Sequence, residues 1–503
     1  MTTSKDICGD RMSDKGLDRM IDKDLENRNE DSRRKSLENK IQVLPTSFLN
    51  EMKEILGGEY KDFLDTYKEE KTSAIRINTL KMPLDRFEGL GLFNIDFDRD
   101  RIRWSKESYY ISGEEFPGKN PLHDAGAYYI QEPSAMSVVG QTEIKSGDKI
   151  LDLCAAPGGK STYILSKLNH SGLLVSNEIN PNRIKALGEN LERFGAINCI
   201  ISNSDSKNLL KFFKGFFDKI FIDAPCSGQG MFRKDDFAIV DWSEDKVDEC
   251  VDIQTQLIRD GFEMLKDGGM LVYSTCTFTK RENEYIVESF LKDYPSARLV
   301  DMERLWPHRD KGEGHFCARI LKSVGHDVEK VMDYKDGILK LVGSYNTKKI
   351  KKKTGVKTRF DNNKGDQIRL FENFLKNYLE GDRLGIFKPE RLVIKKDSLY
   401  YNVLDGDLKG LKLLRRGLII GEFKKNRFEP SHSLAMVLKT CDVKYSIDFS
   451  NASDEARSYL RGESIKTSQS RGWVLVSIEG VSLGWAKESN GILKNKYPKG
   501  LRK

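Results

Sequence analysis

Between about Ile150 and Leu291 short apolar runs alternate with helix-forming stretches, and this alternation constrains the fold more than any other feature of the chain. KILDLC (149–154) leads into a Gly-rich turn and a helix. GLLVSNE (172–178) precedes a helix that Asn180 can cap and Pro181 can open. CIISNSD (199–205) and KIFIDA (219–224) add two strands, and GMLVYSTC (269–276) adds a fifth. Thr279 and Glu282 then form a capping box for the next helix. Apolar strands separated by helices build a parallel sheet covered on both faces. The expected fold class is α/β, a doubly wound Rossmann-like domain.

With 503 residues, 38% apolar, the chain has room for about three domains with ordinary cores. Residues 1–40 carry ten Lys/Arg and ten Asp/Glu with neither proline nor aromatic residues, and read as a flexible charged extension. Residues 41–112 form a small α+β module. Phe48, Met52, Ile55 and Leu56 fall at helical spacing before Gly57-Gly58, and in AIRINTL Ile75 and Ile77 alternate with Arg76 and Asn78 as in a half-buried strand. The Rossmann-like domain takes 113–330, a basic linker 331–367, and a β-rich region with a basic tail 368–503. The linker holds eight Lys/Arg and one Asp in 347–365.

No apolar run approaches the ~18 residues of a membrane-spanning helix, and the N-terminus lacks the apolar core of a signal peptide. A cytoplasmic, monomeric protein without a membrane partner is expected. The eight cysteines include no CxxC pair, so neither a metal site nor a disulfide framework is expected.

The first strand runs into Cys154-Ala155-Ala156-Pro157-Gly158-Gly159-Lys160, at the carboxyl end of the sheet, where such folds bind ligands. This loop departs from the Walker P-loop, since Cys154 stands at the position of its first glycine, and GxGxxG is absent. Glu178 ends the second strand, 20 residues beyond Gly158, where an acid accepts from ribose hydroxyls. Asp205 ends the third strand, within reach of an adenine edge, and Asp223 ends the fourth. A ribose and an adenine without phosphates point to S-adenosylmethionine as cofactor.

Two strand ends also carry sulfur, in DAPCSG (Cys226) and STCT (Cys276). Carbon 5 of a pyrimidine is a poor nucleophile, but adding a thiolate to carbon 6 makes an enamine able to take a methyl group. One cysteine adds and the other assists release; a depressed pKa would suit either role, so chemistry leaves the assignment open.

LDLCAAPGGKST, NEINPNR, IDAPCSGQGMFRKD and YSTCTFTKRENE together resemble the RNA cytosine-5 methyltransferases of the Nop/Sun class, in particular its small-subunit rRNA (RsmB/RsmF) branch. The resemblance extends through RLWPHRDKGEGHF to the C-terminus. It implies a class I methyltransferase domain, an RNA-positioning N-terminal module and a PUA-like RNA-binding C-terminal region. It further implies that Cys276 is the nucleophile and that Cys226 helps free the product. The S-adenosylmethionine contacts it implies are Cys154 through Lys160, Glu178, Asp205 and Asp223, with Arg183 a further candidate; Asp223 also faces the target base. RNA is the implied partner and DNA is not expected. The expected function is 5-methylcytosine formation in 16S rRNA, with a tRNA acceptor or a non-catalytic ribosome-assembly factor as alternatives.

His308 and His315 in WPHRDKGEGHF lack the i, i+4 spacing of a zinc pair and read as a turn and strand bordering the site. Tyr128, Tyr129 and Phe232 offer stacking faces for bases, with core packing the simpler role for most of them.

Overall fold

A computed structural model describes residues 41–113, 115–323, 365–380, 389–467 and 472–503. The charged extension 1–40 and nearly all of the basic linker lie outside the described residues.

The three sheets follow the chain. A three-stranded antiparallel sheet holds β1 (Ser73–Ile77), β2 (Ser108–Ile111) and β3 (Tyr128–Ile130) in the order β2-β1-β3. The central sheet is built on β4 (Lys149–Asp152), β5 (Leu173–Asn177), β6 (Cys199–Ser202), β7 (Phe217–Asp223) and β8 (Leu265–Thr275). These five run parallel in the order β6-β5-β4-β7-β8. β9 (Ala297–Leu305) and β10 (His315–Lys322) close one edge, with β10 antiparallel to both β8 and β9. The strand order reverses between β5 and β7 around β4, which puts the topological switch point at the end of β4.

The helices that matter for the site are α1 (Thr46–Leu56), α2 (Pro133–Gly140), α3 (Gly159–Leu168), α4 (Arg183–Phe194), α5 (Ser206–Phe213), α6 (Glu244–Met264) and α7 (Glu284–Asp293). Ile150, Leu174, Phe221 and Val272 pack on α3 and α4 across one face of the sheet. Leu151, Val175, Ile222 and Tyr273 pack on α5, α6 and α7 across the other. Burying each such side chain contributes roughly 1.5–3 kcal/mol.

The C-terminal region divides in two. β11 (Leu392–Lys395), β12 (Ser398–Asn402), β13 (Leu413–Lys424) and β14 (Arg427–Pro430) extend the central sheet, because β13 pairs antiparallel with β6. The remainder forms a separate five-stranded sheet of β15 (Ser446–Phe449), β16 (Ile465–Lys466), β17 (Gly472–Ile478), β18 (Val481–Ser489) and β19 (Ile492–Asn495). That last sheet shares one core with the N-terminal module, in which Ile75, Ile77 and Tyr109 meet Leu460, Val476 and Leu483. Lys81 pins the junction: its ammonium donates to the carbonyls of Ala125, Arg193 and Ser482 at 2.7, 3.2 and 3.2 Å. The basic tail is also folded in, with Lys503 Nζ 2.6 Å from Asp124 Oδ2 and Tyr497 buried.

Three local expectations change. β1 is buried on both faces, since Arg76 and Asn78 are as inaccessible as Ile75 and Ile77. The polar face is covered as well, with Asn78 Nδ2 donating to the carbonyl of Gly126 and, across to the α/β domain, to that of Phe194. The expected capping box before α7 does not form: Thr279 Oγ1 accepts from the Arg281 amide, and Glu282 turns inward to the loop that carries Cys226. Tyr128 and Phe232 are core residues, and only Tyr129 of the three aromatics borders the cofactor loop.

Candidate active site

Two loops at neighbouring strand ends bring the cysteines together. Cys226 follows β7 by three residues and Cys276 follows β8 by one. Their Sγ atoms lie 3.1 Å apart, and the Cys276 amide donates to Cys226 Sγ at 3.3 Å. Both are free thiols and both are half-buried, in contrast to the fully buried Cys199 and Cys317. The hydrogen bond to Cys276, then burial, pushes the Cys226 thiol well above its ordinary range.

A buried network holds the loops in register. Glu282 accepts from the Ser227 amide at 2.9 Å and from the Ser227 hydroxyl, and Gln254 Nε2 donates to it at 2.8 Å. Ser227 Oγ also meets Thr277 Oγ1 at 2.9 Å, and Gln229 Oε1 accepts from Thr277 Oγ1 and the Phe278 amide, both at 3.0 Å. Gly230 N donates to the Cys276 carbonyl at 2.9 Å, and a Cβ there would come within 2.8 Å of that oxygen, so only glycine permits this approach. Burial raises the Glu282 carboxyl, and the Ser227 and Gln254 donors offset part of that cost. Behind the loops, Phe278 stacks on Trp306 at 4.9 Å and meets Phe63 edge-on at 5.5 Å. The N-terminal module thus braces the Cys276 loop.

Beside the cysteines, Asp223 ends β7. Lys160 Nζ lies 2.7 Å from its Oδ2, Ser274 Oγ donates to Oδ1 at 3.0 Å, and His315 Nε2 stands 3.5 Å from Oδ1. Burial alone would raise this carboxyl, but the Lys160 ammonium and His315 outweigh it and hold Asp223 far below the usual carboxylate range. Lys160 thus turns its charge toward Asp223, on the side of the cysteines. His308 Nε2 donates to the Glu59 carboxylate at 2.9 Å, and among the described residues no group of three or more His, Cys, Asp or Glu is placed to hold a metal ion.

The Cys154–Lys160 loop walls a cavity of about 210 Å³, closed on the other side by Tyr129, Ile130, Gln131 and Glu132 and floored by Asp152 and Asp223. Gly159 leaves it open, because a Cβ there would meet Gln131 Nε2 at 3.0 Å. Asp152 Oδ2 accepts from Ser161 Oγ at 2.6 Å, whereas its Oδ1 is buried without a partner. Burial pushes this carboxyl up to about 7. An orphaned acceptor beside a glycine-lined cradle fits a ligand bearing donors. The cavity is smaller than the ~300–1,000 Å³ of a whole-ligand pocket, so it suits one end of a nucleoside whose remainder lies along the open rim.

Glu178 and Arg183 do not line the cavity but are tied to its loop through Ala156. Glu178 is buried, with Oε1 accepting from the Asn180 amide at 2.8 Å and Oε2 3.5 Å from Arg183 Nη1. Arg183 Nη2 donates to the Ala156 carbonyl at 2.7 Å, which ties the cofactor loop to the end of β5. Asp205 stands apart: it is exposed and caps α5, with Oδ1 accepting from the Asn208 amide at 2.8 Å.

Gln131, Glu132, Asp152 and Asn177 were not singled out in the sequence. Asn177 joins three strand ends, donating to the Leu153 and Ser204 carbonyls and accepting from Ser202 Oγ. Glu132 caps α2 and also accepts from the Glu313 amide at 2.8 Å. The signal available was Glu-Pro-Ser before an apolar run, a helix start aimed at the site.

Four family models match in chain order. The model for the N-terminal domain of 16S rRNA methyltransferase RsmF covers residues 44–133, and that for 16S rRNA methyltransferase RsmB/F covers 141–321. Those for the RsmF first C-terminal domain and the RsmF PUA domain cover 373–438 and 447–503. The ribosomal RNA small subunit methyltransferase F of Vibrio vulnificus is 30% identical over 479 residues, 91% of this chain and 97% of that one. This chain belongs to the RsmF family. Another RsmF relative, from Psychromonas ingrahamii, is 29% identical over 495 residues, again 91% of this chain and 97% of that one. Among solved structures, a methyltransferase homolog protein from Pyrococcus horikoshii aligns with a TM-score of 0.51 and 27% identity, covering 57% of this chain and 99% of that one. The boundary between the two C-terminal RsmF models falls between β14 and β15, where the central sheet ends and the last sheet begins.

Proposed function

We propose that this chain, an S-adenosylmethionine-dependent rRNA methyltransferase, methylates carbon 5 of a cytidine in small-subunit rRNA through a transient bond to Cys276. The observation that carries the mechanism is the 3.1 Å approach of two free sulfurs beside the cofactor loop.

S-adenosylmethionine, when bound, supplies an electrophilic methyl group. The residues suited to hold it are the Cys154–Lys160 loop, Glu178 for the ribose, Arg183 as the brace of that corner, and Asp223; Asp205, exposed beyond β6 with one oxygen capping α5, keeps its second oxygen for the adenine edge. The orphaned Asp152 Oδ1 and the Gln131–Glu132 turn would receive the end that enters the cavity.

In the acceptor half, a base extruded from the RNA enters between the cysteines and the Lys160–Asp223 pair. Asp223, kept ionised by Lys160, is suited to accept from the exocyclic amine of cytosine, while Lys160 offers a donor to the ring. The Cys276 thiolate adds to carbon 6, and carbon 5 then becomes nucleophilic. After methylation a base takes the proton on carbon 5, the pair it leaves behind restores the carbon 5–carbon 6 double bond, and the carbon 6–sulfur bond breaks with its electron pair returning to Cys276. Cys226, hydrogen-bonded to that sulfur, assists this release. No helix of the described residues is long and apolar enough to cross a membrane. We place the enzyme in the cytoplasm as a monomer, with RNA rather than DNA as its partner.

The test is bisulfite sequencing of total RNA from cells with and without the gene. A cytidine in small-subunit rRNA that loses protection on deletion supports the reading. Loss confined to tRNA, or no loss at all, overturns the acceptor or the reaction.

A further inference from the structure

A cavity of about 500 Å³ lies where α4 meets the C-terminal modules, with Lys185, Arg193, Arg415, His432 and Tyr497 in its wall. A second, of about 700 Å³, runs along β11–β13 past Lys395, Tyr400, Lys409 and Arg416. Leu414, Arg415 and Ile419 border both, so the two form one trough across the face of β13. Neither belongs to the site described above.

The trough is unevenly charged: around α4 Lys185, Arg193 and Arg415 are matched by Asp124, Glu189 and Glu192. Along the β11–β13 stretch Lys395, Lys409, Arg415 and Arg416 face a single acid, Asp407. Among the described residues Lys185, Lys395 and Lys409 make no ion pair with a carboxylate. Arg415 pairs with Glu192 through Nη2, yet its Nη1 is buried without a partner, as is His432 Nδ1. Leu414, at 53% exposure, is left uncovered in the middle of the path. Along the β11–β13 stretch four cations against one acid leave an excess of positive charge that a polyanion relieves. Two joined cavities of this size also outrun a single small-molecule pocket.

The position fixes which polyanion. β13 lies five strand spacings from β8 in one continuous sheet. At ~4.8 Å per spacing, the trough is roughly 24 Å from Cys276. Its entry lies at the rim, where the Asn203 amide donates to the Lys412 carbonyl at 2.9 Å.

We propose that this trough binds the sugar–phosphate backbone of the rRNA strand flanking the target cytidine, with Tyr400 as a stacking face for one unpaired base. The proposal rests on the reading of the chain as an rRNA methyltransferase. It assigns an RNA-tracking role to the first C-terminal module rather than to the terminal sheet alone.

The test uses the full chain and an unmodified small-subunit rRNA transcript. In a Lys185→Ala/Lys395→Ala/Lys409→Ala variant, RNA affinity at low salt should fall by about tenfold or more. The slope of log affinity against log salt should flatten by about two, since each phosphate contact contributes ~0.7–0.9. S-adenosylmethionine affinity and turnover at saturating RNA should be unchanged, and the triple Lys→Arg variant should restore the slope. An unchanged affinity and slope in the alanine variant, while the wild type methylates the transcript, overturns the trough alone. A wild type that neither binds nor methylates the transcript overturns both the trough and the reading beneath it.

Discussion

Cys276 Sγ and Cys226 Sγ lie 3.1 Å apart although fifty residues separate them in the chain, and the geometry makes them unequal. The Cys226 thiol is pushed up by its bond to Cys276 and by burial, and its sulfur also accepts the Cys276 amide at 3.3 Å. Cys276→Ala should abolish methylation, form no covalent RNA adduct and leave S-adenosylmethionine binding intact. Cys226→Ala should accumulate the adduct, visible on denaturing electrophoresis with labelled RNA. An adduct that persists in the Cys276 variant and not in the Cys226 variant would reverse the two roles.

Glu178 is buried at the end of β5 with one oxygen occupied by the Asn180 amide and the other facing Arg183 at 3.5 Å. That second oxygen is the one we propose accepts from ribose hydroxyls. Glu178→Gln should weaken S-adenosylmethionine binding by roughly 1.5–3 kcal/mol, the value of a hydrogen bond to a charged group. Isothermal titration calorimetry decides it, and an unchanged affinity removes Glu178 from the site.

The parallel sheet was legible because its strands are apolar runs bounded by helices, a pattern that tertiary context does not alter. The cofactor loop and both cysteines were legible because each stands where a strand meets a turn. What the sequence hid was long-range. Arg76 reads as the solvent face of a strand until the catalytic domain covers it, and no local period reports a contact made 83 residues away with Gly159. Glu282 reads as a helix cap because Thr279 stands three residues before it; its inward turn depends on Ser227, 55 residues distant. β13 joins β6 across more than 200 residues, so the split of the C-terminal region was equally invisible.

Arg76 shows what such a contact is worth. Its Nη2 donates to the Gly159 carbonyl at 3.0 Å and meets Thr162 Oγ1 at 2.8 Å, and its guanidinium lies over the Tyr163 ring at 4.4 Å. The N-terminal module therefore positions the cofactor loop. Arg76→Met keeps much of the volume but removes the charged donor to the Gly159 carbonyl, which keeps only Thr162 Oγ1 at 3.0 Å, a loss of about 1.5–3 kcal/mol. Thermal melts should show that loss, and S-adenosylmethionine affinity should fall several-fold while the Cys226–Cys276 loops, braced independently, retain their thiol reactivity. An affinity equal to wild type would limit Arg76 to holding the modules together.

Asp152 gives the apo-protein a pH dependence opposite to that of its neighbour Asp223. Burial holds the Asp152 carboxyl at about 7, above the ~3.9 of an unfolded aspartate. Between those values the folded state binds the proton and the unfolded state does not, so this group's contribution to stability declines as pH rises from about 4 to about 7. The slope is at most ~1.4 kcal/mol per pH unit. Asp223, depressed in the folded state, contributes stability above the unfolded pKa that is lost as pH falls below it. Asp152→Asn should therefore remove the decline between about pH 4 and 7 and leave the acid limb in place. Urea unfolding of apo-protein across that range measures it, and a variant whose curve parallels the wild type would show that Asp152 is ionised in the fold.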